Sequence, residues 1–157
     1  MTELDEKFMR EALREAHMAE DEDEIPIGAV ITFAGRVIAK GHTMTERLHD
    51  PTTHAEMIAI TAATEAMGGK YLNDCTLYVT VEPCPMCAGA IINARVDRVF
   101  YGARDSAFGA CGGVTNLFME EFPNRPALVG GILAADCQAV LTEFFDRIRR
   151  KGSCGSK

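Results

Sequence analysis

The sequence predicts an α/β fold, a three-layer α/β/α sandwich on a mixed five-stranded sheet. Three observations carry that reading. After an opening hairpin, helical and strand-like segments alternate along the chain, the pattern of helices laid on both faces of a sheet. The run C-T-L-Y-V-T-V at 75–81 is continuously apolar in character, as suits a strand covered on both faces. The 157 residues suffice for one real core, so 1–157 reads as a single domain, with no repeat, low-complexity tract or linker.

Residues 3–21 place Leu4, Phe8, Ala12, Ala16 and Ala19 at helical spacing with charges opposite, which predicts an amphipathic helix ended by D-E-D-E-I-P. I-G-A-V-I-T-F at 27–33 and R-V-I-A-K-G-H at 36–42, split by Ala34-Gly35, predict a hairpin. A polar loop then reaches H-D-P. T-H-A-E opens a second helix that stops at Gly68-Gly69. After the apolar strand, P-M-C-A-G-A-I-I-N-A at 85–94 reads as a helix and D-R-V-F-Y-G at 97–102 as a strand. Residues 103–125 form a Gly-rich loop region, A-L-V-G-G-I at 127–132 is a last strand, and 136–150 a final helix.

The 47% hydrophobic and 25% charged fractions are those of an ordinary globular protein, and no window reaches the roughly 18 apolar residues of a membrane span. The acidic start T-E-L-D-E-K has no apolar core behind it, so no signal peptide is expected and the chain reads as cytoplasmic. The net charge of −7 is uneven: residues 1–24 hold ten acids and three bases, and the remaining acids and bases balance. The terminal R-I-R-R-K is basic, so composition neither supports nor excludes a polyanionic partner. In a reducing compartment, Cys75, Cys111, Cys137 and Cys154 are expected to be buried or idle thiols rather than a disulfide framework.

The stretch E-P-C-P-M-C at 82–87 is harder to place. Cys84 and Cys87 alone fit a redox pair, half of a metal site, or two small core residues. With 85 onward helical they stand at i and i+3, facing one point, and Pro85 starts the helix. His54 alone reads as a polar residue at a helix start. Thr53-x-x-Glu56 alone matches a capping box. Taken together, however, H-x-E and P-C-x-x-C offer three nitrogen or sulfur ligands and a spare carboxylate, and three protein ligands leave a fourth zinc position open.

That combination is the signature of zinc-dependent nucleobase deaminases, and the metal assignment rests on this likeness rather than on spacing. The chain resembles the cytidine deaminase superfamily. Within it, I-P-I-G-A-V, H-D-P-T-T-H-A-E, C-T-L-Y-V-T-V-E-P-C-P-M-C-A-G-A-I, V-F-Y-G-A-R-D, G-I-L-A-A-D-C and F-F-D-R-I-R-R resemble the bacterial enzymes that deaminate adenosine in tRNA, along nearly the whole chain. The resemblance implies a cytidine deaminase-like fold and a Zn²⁺ held by His54, Cys84 and Cys87. It implies Glu56 as the proton carrier, a homodimer, and the wobble adenosine of a tRNA anticodon stem-loop as substrate. It also implies that Ile27, Ala55, Val81 and Pro83 line the purine pocket, that Asp105 contacts RNA beside the reacting base, and that one of Phe144 and Phe145, namely Phe145, meets a base. Thr43 stands where the family usually has Asn, and the family's Asn-His-Arg string appears only as Asn124-Arg125-Pro126.

Two rival readings share the motif: a small-molecule deaminase acting on free guanine, cytosine or a nucleoside, and a non-catalytic zinc fold. Thr43 and the net charge favour the first; Glu56 weighs against the second, because a structural zinc site has no use for it. For the RNA reading, Arg147, Arg149, Arg150 and Lys151 are the expected phosphate contacts, with the acidic first helix placed away from them.

Overall fold

The computed structural model describes residues 2–155, with side chains through residue 152, so the expectation for Cys154 falls outside the described side chains. Helix α1 spans Glu3–Asp21. The Thr2 hydroxyl accepts the Asp5 N–H and the Asp5 carboxylate accepts the Thr2 N–H, closing a capping box. Strands β1 (Gly28–Phe33) and β2 (Arg36–His42) form the expected hairpin. The loop before H-D-P contains one unexpected element, the short helix α2 (Thr45–Leu48), started by Glu24: its carboxylate accepts the N–H groups of Glu46 and Arg47 at 3.0 and 2.8 Å. Then follow α3 (Ala55–Met67), β3 (Cys75–Val81), α4 (Pro85–Ala94), β4 (Arg98–Ala103), a 3₁₀ turn at Leu117–Met119, β5 (Ala127–Val129) and α5 (Ala134–Gly155).

The five strands form one mixed sheet in the order β2-β1-β3-β4-β5. β1 runs antiparallel to both β2 and β3, while β3–β4 and β4–β5 are parallel. Alternating residues build a core on each face. Ala29 and Ile31 of β1, Leu77 and Val79 of β3 and Val99 of β4 pack against α3 and α4. Val30, Tyr78 and Phe100 point the other way, to Phe8, Met9 and Ala12 of α1 and Cys137 of α5. Phe8, Tyr78 and Phe100 meet with ring centroids 5.3 and 5.0 Å apart. The three-layer prediction therefore holds, and β3 is buried at every position.

Two glycines set the helix-to-sheet distance. A Cβ on Gly28 would lie 2.0 Å from the Ala12 carbonyl oxygen, and one on Gly41 would lie 2.5 Å from that of Ala55. Side chains at these positions would lift α1 or α3 off the sheet.

Four details differ from the sequence expectations. Leu4 is exposed, and Met9 and Glu15 are buried in its stead, because the sheet-facing stripe of α1 sits a little round from the one the small residues suggested. The last strand stops at Val129. A Cβ on Gly130 would strike the Tyr101 ring at 2.3 Å, and Gly131 at φ +86 turns the chain to bury Ile132. Thr53 and Glu56 form no capping box: α3 begins one residue later than that motif requires, with His54 as N-cap, and the Thr53 hydroxyl donates to the Asp50 carbonyl instead. Finally, α1 does not stand away from the basic terminal helix. It lies beside α5 on the same sheet face, with Glu20 3.0 Å from Arg147.

Cys75, Cys111 and Cys137 are free and buried, as expected, and no helix among the described residues is long and apolar enough to cross a membrane. Replacing Gly41 by Ala should cost about 1–3 kcal/mol through overpacking against α3. Gly69→Ala, where a Cβ meets nothing within 4 Å, serves as the control in urea unfolding. Equal midpoints for the two variants would contradict this packing account.

Candidate active site

β2 and β3 are both antiparallel to the strand between them, so they point the same way. The chain leaving β2 returns through α2 to start α3, and the chain leaving β3 starts α4 directly. Both helices therefore begin at one edge of the sheet. His54 and Cys84 are the two N-cap residues, each with extended backbone, at φ/ψ of −72/160 and −78/173. Cys87 lies one turn into α4, as the i, i+3 spacing requires.

The ligand atoms of His54, Cys84 and Cys87 lie within 4.8 Å of one another. The His54 Nδ1 atom is 3.6 Å from each sulfur. Tetrahedral zinc with nitrogen near 2.0–2.1 Å and sulfur near 2.3 Å demands an N···S edge of about 3.6 Å, so the donor set fits that ion without rearrangement. The imidazole also bonds to the Pro51 main chain, which fixes the ring.

Proton affinities point the same way. A hydrogen bond from the Cys87 thiol, helped by His54, draws the Cys84 thiol down to about 4. The same hydrogen bond, with burial, pushes Cys87 up. His54 is held above its ordinary value, first by its hydrogen bond to Cys84. The trio by itself thus favours one thiolate; holding two, beside a carboxylate, takes a cation. Two helix N-termini directed at the site add to that preference for negative charge.

Glu56 lies in the first turn of α3, 4% exposed, and burial pushes its carboxyl up to about 7. It faces the same cavity, of about 450 Å³, as the three ligands. A buried carboxyl that titrates near neutrality, next to a metal site but outside the ligand set, can take and return protons.

Of the other residues singled out in the sequence, Ile27, Thr43, Ala55, Val81 and Asp105 line this pocket. Thr43 is 4% exposed and donates its N–H to the Ile27 carbonyl. Asp105 shapes its own loop, accepting the N–H groups of Ala107 and Phe108 on one carboxylate oxygen. Pro83 and Phe145 are not part of the wall. Pro83 is buried in the turn into α4, its carbonyl taken by the Ala110 N–H. Phe145 is 41% exposed and lines a neighbouring groove that shares Ile27, Val81 and Asp105 with the pocket, while Phe144 is buried. Asn124 is committed to the fold, donating to the Ile92 carbonyl at the end of α4.

Ile25, Pro51, Met86 and Phe108 also line the pocket, without any periodic signal to announce them. So does Glu82. Its buried carboxylate accepts the N–H groups of Asp105, Cys111 and Gly113 at 3.0, 2.9 and 2.7 Å, tying the 105–113 loop to the turn that carries Cys84. An acid between an apolar strand and Pro-Cys was the available signal.

Comparison with known proteins agrees with this geometry. Residues 2–103 match the family model described as the cytidine and deoxycytidylate deaminase zinc-binding region, and the chain belongs to that family of zinc-binding deaminases. Among individual relatives, it is 43% identical to the tRNA-specific adenosine deaminase of Bacillus subtilis (strain 168), across 98% of this chain and 96% of that one. A solved structure from a study of A-to-I editing by tRNA A34 deaminases at the wobble position superposes with a TM-score of 0.83. It is 42% identical, over 86% of this chain and 99% of that one. The guanine deaminase structure from Bacillus subtilis is 39% identical with a TM-score of 0.63, over 81% of this chain and 80% of that one.

The purified protein should hold about one zinc per chain. Metal analysis after Cys87→Ala should show most of that zinc gone; retention of the full complement would exclude Cys87 as a ligand.

Proposed function

We propose that the protein is a zinc-dependent hydrolase that converts adenosine to inosine at the wobble position of a tRNA anticodon. One observation carries the chemistry: Glu56, whose carboxyl burial pushes up to about 7, shares a pocket with a three-ligand nitrogen–sulfur set. The similarity to tRNA adenosine deaminases supports the substrate.

His54, Cys84 and Cys87 would hold the zinc, which when bound would supply Lewis-acid activation of a water. Glu56 accepts a proton from that water as its oxygen bonds to the amino-bearing carbon of the purine. It returns that proton to the adjacent ring nitrogen, then carries the remaining proton of the added hydroxyl to the amino nitrogen; the carbonyl forms as the C–N bond breaks and ammonia leaves. Adenosine and water thus become inosine and ammonia. Ile27, Ala55 and Val81 offer apolar walls for the purine, and Thr43 offers a hydroxyl that both donates and accepts. The neighbouring groove, with Phe145 and Arg149 on α5, suits a flanking base and its phosphate.

Residues 1–157 are proposed to work as one deaminase domain in the cytoplasm, with the anticodon stem-loop as the part of tRNA engaged. The free thiols among the described residues support a reducing compartment. Val114, Met119 and Phe122, exposed on the long loop before β5, support a second copy as the partner of a homodimer. The alternative, deamination of free guanine, cytosine or a nucleoside, draws on Thr43 and on the likeness to guanine deaminase.

Incubation with an anticodon stem-loop, beside free adenosine, guanine and cytosine, should release ammonia from the stem-loop and leave inosine in it. Brisk turnover of free guanine without reaction of the RNA would establish the small-molecule reading instead. Glu56→Ala should retain zinc and fold and lose roughly 10²–10⁴-fold or more in turnover. A residue that only shaped the helix end would cost about 1 kcal/mol of stability and leave the rate intact.

A further inference from the structure

β2 ends at His42, directly before Thr43 of the pocket wall. The His42 ring is held between two carboxylates, with Nδ1 3.0 Å from Glu15 of α1 and Nε2 3.1 Å from Glu22, the C-cap of that helix. The His42 side chain is only 12% exposed and that of Glu15 only 10%. A carboxylate accepts and does not donate, so the protonated ring can donate from both nitrogens, one to each acid. From this anchor the main chain runs through two further ties. Thr43 N–H bonds to the Ile27 carbonyl at 3.2 Å, and Met44 N–H to the carbonyl of Thr53, the residue before His54, at 3.0 Å.

We propose that the Glu15–His42–Glu22 clamp is a positioning device for substrate: it pins the end of β2 to α1 and its C-cap and so holds Thr43 in the pocket wall. His42 touches no substrate and acts only through Thr43. The proposal rests on the deaminase reading above but is indifferent to whether the base is free or in RNA.

Charged neighbours are few and distinct. Arg47 of α2 lies 3.3 Å from Glu22, and Lys40 of β2 lies 3.4 Å from Glu11. Glu24 is engaged with the N–H groups of α2. Helix α3, packed against the same strand, brings Glu56 and Glu65, which are not partners of His42. Burial alone would lower the affinity of His42 for its proton, but the hydrogen bonds and charges of Glu15 and Glu22 outweigh it and raise the pKa above the ordinary 6.5. With a folded value raised above the unfolded one, the clamp's stabilisation is complete below about 6.5 and is lost as pH rises through the folded value. One of its two hydrogen bonds then disappears.

The test uses the zinc-loaded enzyme with the stem-loop and the free bases in parallel, while NMR follows the His42 ring through its titration. On whichever substrate reacts, KM should rise roughly tenfold as His42 loses its proton, with kcat changing less than about twofold. Glu22→Gln should move the ring titration and the KM inflection to lower pH together. His42→Ala should raise KM roughly 10- to 100-fold at neutral pH, keep its zinc, and abolish the inflection. His42→Gln, which can still donate once, should recover part of the loss without pH dependence. Amide hydrogen exchange at Thr43 and Met44 should accelerate about tenfold in His42→Ala, a readout that needs no turnover. A flat KM while His42 titrates, an inflection that survives His42→Gln, or unchanged exchange would overturn the clamp. Absence of turnover on every base would instead sink the deaminase reading and leave the exchange measurement to decide.

Discussion

The site depends on a directional constraint in the sheet. Because β1 lies between β2 and β3 and runs antiparallel to each, both outer strands deliver their chains to the same edge. The segments that follow open α3 and α4 there, and the two N-cap positions, His54 and Cys84, come within reach of one ion. Cross-strand partners such as Ala29 with Val79 and Ile31 with Leu77 keep that edge aligned. A hairpin register slip of one residue would turn Ile31 from the α3 face to the α1 face and carry the end of β2 away from the pocket. The chemistry is thus tied to the core: the contacts that bury Ile31 and Leu77 also set where the imidazole meets the thiols.

Buried acids occur at four places, and their partners separate structural from chemical roles. Glu24 is satisfied by the first N–H groups of α2, and Glu82 by three N–H groups of the 105–113 loop. Glu15 is satisfied by His42. A carboxylate so supplied holds a segment in place. Glu56 lacks a comparable set of donors, and burial pushes its carboxyl to about 7. It is the buried acid poised to exchange a proton, and it shares the pocket with the residues placed to bind a metal.

The acidic first helix takes on a different meaning once packed. Its carboxylates are not a uniform field facing solvent: Glu15, with Glu22 at the C-cap, grips His42, Glu20 holds Arg147 of α5, and Glu11 faces Lys40. The helix therefore couples the edge strand to the terminal helix that also carries Phe145. Its nearness to α5 moderates the positive character of the R-I-R-R-K stretch, since Arg147 is paired with Glu20 and Arg149 with Asp146. Any phosphate bound there competes with carboxylates for these guanidinium groups.

Much of this was legible in the sequence, for local reasons. Helix and strand periods, turn residues and the Pro-flanked C-x-x-C act over a few residues, so the element order, the buried β3 and the paired cysteines could be read directly. Joined to H-x-E, they carry the likeness to zinc-dependent deaminases, and it is that likeness which points to His54, Cys84, Cys87 and Glu56. What the sequence could not supply was everything that depends on which distant segments touch. The capping-box pattern at Thr53-x-x-Glu56 is sound local chemistry, yet the helix starts at His54 because the site and the strand edge decide the entry angle. Glu15, Glu24 and Glu82 look like ordinary surface acids in a run of letters. Only the fold brings them the N–H groups and the imidazole that make their burial tolerable. Local propensity acts along the chain, whereas burial and proton affinity are set by neighbours far apart in sequence, and those neighbours exist only in the folded protein.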